Sequence, residues 1–164
     1  MLCESVWLLD LAGSSPPATG SLAQALEAAH DACAASAAGR KVGIAIGDVP
    51  AVPIGIDTDQ LTLVLVNLID NAIKHGRPGG GIFVGVDLGD RRFVRVTVDD
   101  DGPGIPEVDH ERVFALGERA ATSAKGTGIG LALVRLMLER AQGRIDLEAS
   151  PLGGARFVVL VPRM

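Results

Sequence analysis

The chain has 164 residues, 48% hydrophobic and 21% charged, an ordinary globular mix that excludes disorder over most of the length and allows one domain with a short appendage. Fifteen basic against twenty acidic side chains leave a net charge of −5 with no basic cluster, which excludes nucleic acid as a partner, because phosphate-backbone affinity comes from clustered Lys and Arg. No apolar run approaches the ~20 residues that cross a bilayer, and no Lys or Arg precedes Arg40, the wrong sign for a secretory signal. Cys3 and Cys33 have no companion at metal-ligand spacing, so they read as unpaired thiols of a cytoplasmic protein.

Residues 4–12 read as the last turns of an apolar helix, with Val6, Trp7, Leu8, Leu9 and Leu11, ended by Gly13-Ser14-Ser15-Pro16-Pro17. A linker follows to Gly20. Ser21 with Gln24 three residues on makes a capping box, and Leu22, Ala25, Leu26, Ala29 and Cys33 draw one apolar stripe on a helix reaching Ala38. Residues 41–46 and 51–56 read as short strands around Gly47-Asp48, the second equally compatible with an extended connector. Asp57 can cap the next helix, whose Leu61, Val64, Leu65, Leu68, Ile69, Ala72 and Ile73 recur at helical spacing until Gly76 closes it.

Residues 82–88 and 93–99 alternate around Gly89-Asp90 and predict an antiparallel hairpin. The stretch 102–130 is glycine-rich and irregular, with a brief helix near 109–114. A helix over 129–141 ends at Gly143, and residues 144–149 and 155–161 form a second hairpin turned at residues 151–154. Uneven blocks of strands and helices with hairpins indicate an α+β fold: two layers, one mixed and mostly antiparallel sheet with its helices on one face.

Three constellations could carry chemistry. Asn67, Asn71 and Lys74 stand at i, i+4 and i+7 of one helix, so two amides and an ammonium share a face. Amide oxygens suit a hard cation such as Mg²⁺, and the lysine suits an anion attached to it. His75, beside them, reads as a histidine favoured at a helix end. In the second constellation, Val94, Val96 and Val98 share one strand face, and alternation carries Asp100 onto it, just before Gly102-Pro103-Gly104-Ile105. A carboxylate emerging on the core side is costly unless it accepts hydrogen bonds, which a purine's exocyclic amine would supply. Third, Lys125-Gly126-Thr127-Gly128-Ile129-Gly130-Leu131 is a glycine-rich turn into a helix, whose exposed N–H groups can cradle an anion.

In order and spacing these segments resemble the N box and the two glycine boxes of the GHKL ATPases, specifically the catalytic ATP-binding domain of bacterial sensor histidine kinases. The matching stretches are Asn67-Leu68-Ile69-Asp70-Asn71-Ala72-Ile73-Lys74-His75, then Asp100-x-Gly102-Pro103-Gly104-Ile105-Pro106, then Gly126-Thr127-Gly128-Ile129-Gly130-Leu131. The likeness runs from about Leu22 to the carboxyl end, including the turn Ser150-Pro151-Leu152-Gly153-Gly154-Ala155. It implies the Bergerat ATP-binding fold over residues 21–164, preceded in 1–20 by the tail of a dimerisation helix and a linker.

The resemblance further implies roles. Asp100 bonds the adenine amine, Asn71 and Asn67 hold Mg²⁺ on the phosphates, Lys74 contacts phosphate, and His75 lies near the nucleotide. The stretch from Gly126 to Leu131 wraps the triphosphate behind a mobile lid. In that lid the family shows two phenylalanines and an Arg. Here the segment is Val113-Phe114-Ala115-Leu116-Gly117-Glu118-Arg119, with glycine at the second aromatic position and Arg119 matching the phosphate-contacting arginine. Where gyrase-like ATPases and anti-sigma serine kinases carry a basic Glu, this chain has Asn67, and an amide accepts no proton at neutral pH. A neutral imidazole acceptor needs less such help, which points to the histidine-kinase branch.

The expected activity is therefore ATP-dependent phosphorylation, in trans, of a histidine on a separate dimerisation domain, either another chain or a further part of the parent chain, with a response regulator served indirectly. Competing readings are a serine kinase of the anti-sigma type, against which Asn67 speaks, and a nucleotide-binding regulatory module without phosphotransfer, which the altered lid favours. Of the chain's three histidines, His30 and His110 read as ordinary surface residues and His75 as a nucleotide neighbour, leaving no phosphoacceptor in this sequence.

Overall fold

A computed structural model describes residues 19–115 and 130–164. Cys3, the helix expected over 4–12, and Gly117, Arg119, Lys125, Gly126, Thr127, Gly128 and Ile129 lie outside the described residues. Strand β1 (Gly20–Ser21) leads directly into helix α1 (Leu22–Gly39). Ser21 Oγ accepts the Gln24 amide at 3.3 Å, one half of the expected capping box. The other half belongs to tertiary structure: the Ser21 amide donates to Thr58 Oγ1 at 2.9 Å, which ties the start of α1 to the start of α2 (Thr58–His75). Asp57 caps α2 as expected, its Oδ1 accepting the amides of Asp59 at 2.9 Å and Gln60 at 3.3 Å.

The apolar stripes read from the two helices are buried in full, and they form one core with the inner sheet residues Ile82, Val84, Val94, Val96, Val98, Phe157, Val159 and Val161. Burying each Leu, Ile, Val or Phe contributes about 1.5–3 kcal/mol, so the stripes decide how the helices lie on the sheet. That sheet contains β2 (Gly43–Ile46), β4 (Gly81–Asp87), β5 (Phe93–Asp99), β6 (Arg144–Ala149) and β7 (Ala155–Pro162), in the order β2-β4-β5-β7-β6. Only β2 and β4 run parallel, because α2 makes the crossover between them. The other neighbours are antiparallel. The strand expected over 51–56 shrinks to β3 (Pro53–Ile54), which pairs with β1 in a separate two-stranded sheet.

The irregular stretch after β5 holds two short 3₁₀ turns, Glu107–Asp109 and Arg112–Phe114, in place of a single brief helix. Phe114 meets Phe157 edge-on with ring centroids 6.2 Å apart. Helix α3 (Gly130–Arg140) ends just before Gly143, through Gln142 in the left-handed conformation (φ 61). Gly76 closes α2 in an extended conformation (φ −70, ψ 171). Among the described residues no helix is long and apolar enough to cross a membrane.

Candidate functional site

The three consecutive aspartates at the end of β5 go to three different places. Asp99 turns to the outer face of the sheet, where Arg156 of β7 grips it through both carboxylate oxygens at 2.7 and 2.9 Å. Asp101 accepts the amides of Arg77 and Gly81, each at 3.0 Å, and so pins the loop between α2 and β4. Burial alone would raise the Asp101 pKa, but those amides, together with its own amide and the Arg77 charge, outweigh it and hold the carboxyl below its ordinary range. Asp100 turns inward, as the alternation predicts, and is 2% exposed.

Asp100 is held from one side only. Its Oδ1 accepts the Gly102 amide at 2.9 Å and the Ala155 amide at 3.1 Å, while backbone bonds join Asp100 N to Ala155 O at 3.0 Å and Gly154 N to Asp100 O at 3.2 Å. Among the described residues Oδ2 has no hydrogen-bond partner and remains a free acceptor. Burial pushes the carboxyl above its ordinary range, partly countered by the two amides and by His75. The β6–β7 turn presses so closely that a Cβ on Gly154 would collide with Oδ1 and stand 2.6 Å from both Asp100 O and Gly102 N. The sequence had joined this turn to the pattern only as its closing element; its glycine pair was the visible signal, and its role as the cradle of Asp100 was not.

Helix α2 closes the site from the other side. Its last carbonyl turn rests on Gly102, where a Cβ would collide with His75 O. The His75 ring is half-buried, and burial lowers its pKa; Asp100 pulls it back up, while Lys74 and Arg40 push it down further. The ring is therefore neutral at neutral pH. One turn earlier, Asn71 is half-buried and its side chain bonds to none of the described residues. Asn67 spends its Nδ2 on Leu63 O at 2.8 Å, leaving Oδ1 against the first residue of α3, 2.8 Å from where a Gly130 Cβ would be. Asn67 thus faces Gly130 of α3.

Lys74 lies at the open edge of the same helix face. Its Nζ pairs with Asp70 at 2.8 Å on the surface, with half the lysine side chain exposed. Such an i,i+4 pair is worth only about 0.3–0.5 kcal/mol, too little to keep the ammonium from a bound polyanion. Ile105 is half-buried against the core, Gly104 is left-handed (φ 77), and Leu131 packs partly into the core from α3. The arrangement offers one buried, directed acceptor for a hydrogen-bond donor, Asp100 Oδ2, beside a helix face that carries Asn67 and Asn71.

Residues 56–164 match the family described as histidine kinase-, DNA gyrase B-, and HSP90-like ATPase. Among curated proteins the chain is 40% identical over 117 residues to the adaptive-response sensory kinase SasA of Synechococcus sp. strain JA-2-3B'a(2-13), covering 70% of this chain and 30% of the relative. It is 40% identical over 104 residues to the sensor-type histidine kinase PrrB of Mycobacterium tuberculosis H37Rv, covering 62% of this chain and 23% of that protein. The chain thus spans less than a third of the length of these relatives. Of solved structures, the ATP-binding domain of PrrB from Mycobacterium tuberculosis superposes with a TM-score of 0.72 at 30% identity, covering 90% of this chain and 97% of that one. A nucleotide-free catalytic domain of the histidine kinase ThkA gives 0.78 at 25% identity, covering 91% and 97%.

Proposed function

This chain belongs to the histidine kinase-, DNA gyrase B- and HSP90-like ATPase family, and from that premise we propose that it binds ATP with Mg²⁺ and presents the γ-phosphate to a histidine on a separate helical dimerisation domain. The observation that carries the reading is Asp100: a buried carboxylate with one oxygen satisfied by Gly102 and Ala155 and the other left free to accept. An adenine amine is the donor it suits. Asn71 and Asn67 would hold the cation, whose chemistry when bound is to neutralise phosphate charge. Lys74, Arg119 and the stretch from Lys125 to Leu131 would face the phosphates, and His75 would lie near the nucleotide.

Phosphoryl transfer asks a protein mainly for positioning and charge neutralisation. Asn67 supplies no base, and a neutral acceptor imidazole is nucleophilic without one. A response regulator would then draw the phosphoryl group from that imidazole, in the cytoplasm. We place the boundary of the catalytic domain at residues 20–21, with the preceding residues as the tail of the dimerisation helix and a linker.

Incubated with γ-labelled ATP and a helical hairpin bearing a histidine, the full chain transfers acid-labile phosphate to the hairpin and keeps none. Stable phosphohistidine on this chain alone would overturn the reading. The cation assignment has its own check: Asn71→Ala abolishes the Mg²⁺-dependent gain in ATP affinity and leaves metal-free binding largely intact, because the amide oxygen serves the cation and not the base. Titrations with and without Mg²⁺ that shift by the same factor would remove Asn71 from the cation site.

A further inference from the structure

We infer that His110, through its hydrogen bond to the Ile105 carbonyl, is a positioning residue for the base side of the nucleotide site. The inference rests on the ATP-binding reading above. The loop that leaves Asp100 runs through Gly102, Pro103, Gly104 and Ile105 to Pro106. Its near end is tied firmly, by the Gly102 amide on Asp100 Oδ1 at 2.9 Å. Beyond that point, among the described residues, the one hydrogen bond made by Pro103, Gly104 or Ile105 comes from His110 Nε2 to Ile105 O, at 2.9 Å. A carbonyl can only accept, so Nε2 carries the proton.

The histidine is placed for this task by the first 3₁₀ turn. The Asp109 amide donates to Pro106 O at 2.9 Å and the His110 amide to Glu107 O at 3.2 Å, which folds residues 106–110 back so that the half-buried ring meets Ile105. The side chain thereby closes a five-residue loop onto its own start.

Such a closure matters because the segment it holds is intrinsically loose. Gly102 and Gly104 both lack a Cβ, and Gly104 adopts a left-handed conformation (φ 77), so the unrestrained loop has many alternatives to the observed path. If His110 does not fix the far end, ordering the loop falls on ligand binding and weakens affinity. Because the loop serves the base and not the phosphates, adenosine, ADP and ATP all lose affinity to the same degree. His110 is invisible to sequence reasoning as anything but a surface histidine, since its partner is a backbone carbonyl five residues back.

The geometry provides a sharp test. A glutamine places its amide nitrogen where imidazole Nε2 stands, and an asparagine places it nearer Nδ1. Titrating the full chain with adenosine, ADP and ATP, His110→Asn and His110→Ala weaken all three by about fivefold, one neutral hydrogen bond's worth, while His110→Gln stays within about twofold of the parent. Thermal unfolding of the Asn and Gln variants at the same temperature separates this effect from a general loss of structure. Equal affinities for the Asn and Gln variants, or a loss confined to ATP, overturn the assignment while leaving the nucleotide reading intact. Failure of the parent chain to bind any of the three ligands overturns both.

Discussion

Asp100→Asn weakens ATP and ADP alike, by tenfold or more. The variant keeps Oδ1 for the Gly102 and Ala155 amides and so keeps the fold, but it puts an N–H₂ donor where the free acceptor Oδ2 stood. A donor then faces the adenine amine, and losing a hydrogen bond to a charged acceptor at a buried site costs about 1.5–3 kcal/mol. Calorimetric titration with both nucleotides checks the result, and unchanged ADP affinity in a folded variant would remove Asp100 from the site. The pH dependence follows from burial, which holds this carboxyl above its ordinary range. Affinity in the parent chain therefore declines on acidification at a higher pH than an exposed aspartate would dictate, and the Asn variant lacks that limb. For stability the sign is reversed. A carboxyl whose folded pKa is raised contributes most below its unfolded pKa, and that contribution is lost as pH rises through the folded value. At neutral pH the Asn variant therefore loses no stability with the charge.

Gly154→Ala is the more damaging substitution. The added methyl meets Asp100 Oδ1, Asp100 O and Gly102 N at once, and two of these three atoms are backbone that cannot swing away. Overpacking of this kind costs about 1–3 kcal/mol, and each kcal/mol lowers the melting temperature of a domain this size by about 2–4 °C. Whatever relaxation the chain finds moves Asp100 off its two amides, so adenosine and ADP binding fall with the melting temperature. Gly43→Ala is the control: a Cβ there meets nothing within 4 Å, and it leaves both measurements where they were. A Gly154→Ala variant with the parent's melting temperature and nucleotide affinity would show that the β6–β7 turn does not hold Asp100.

The hydrophobic spacing of this chain was enough to determine α1 and α2, their buried faces and the Asp57 cap, because each is a local property with a period of 3.6 residues. Strand alternation likewise determined that Asp100 points into the core, and the order of the three motifs determined which ligand chemistry to look for. What the aspartates on either side do was not legible. Asp99 finds Arg156 and Asp100 finds Ala155 only because β5 and β7 pair in the register Asp99↔Arg156, across separations of 57 and 55 residues. The exchange of the Ser21 amide from its capping box to Thr58, across 37 residues, has the same cause. His110 marks a different limit, since its partner is close in sequence but is a backbone oxygen, and every residue offers one. Side-chain identity and period are written in the sequence; the choice among equivalent backbone carbonyls and amides is made only when packing has brought one of them within 3 Å.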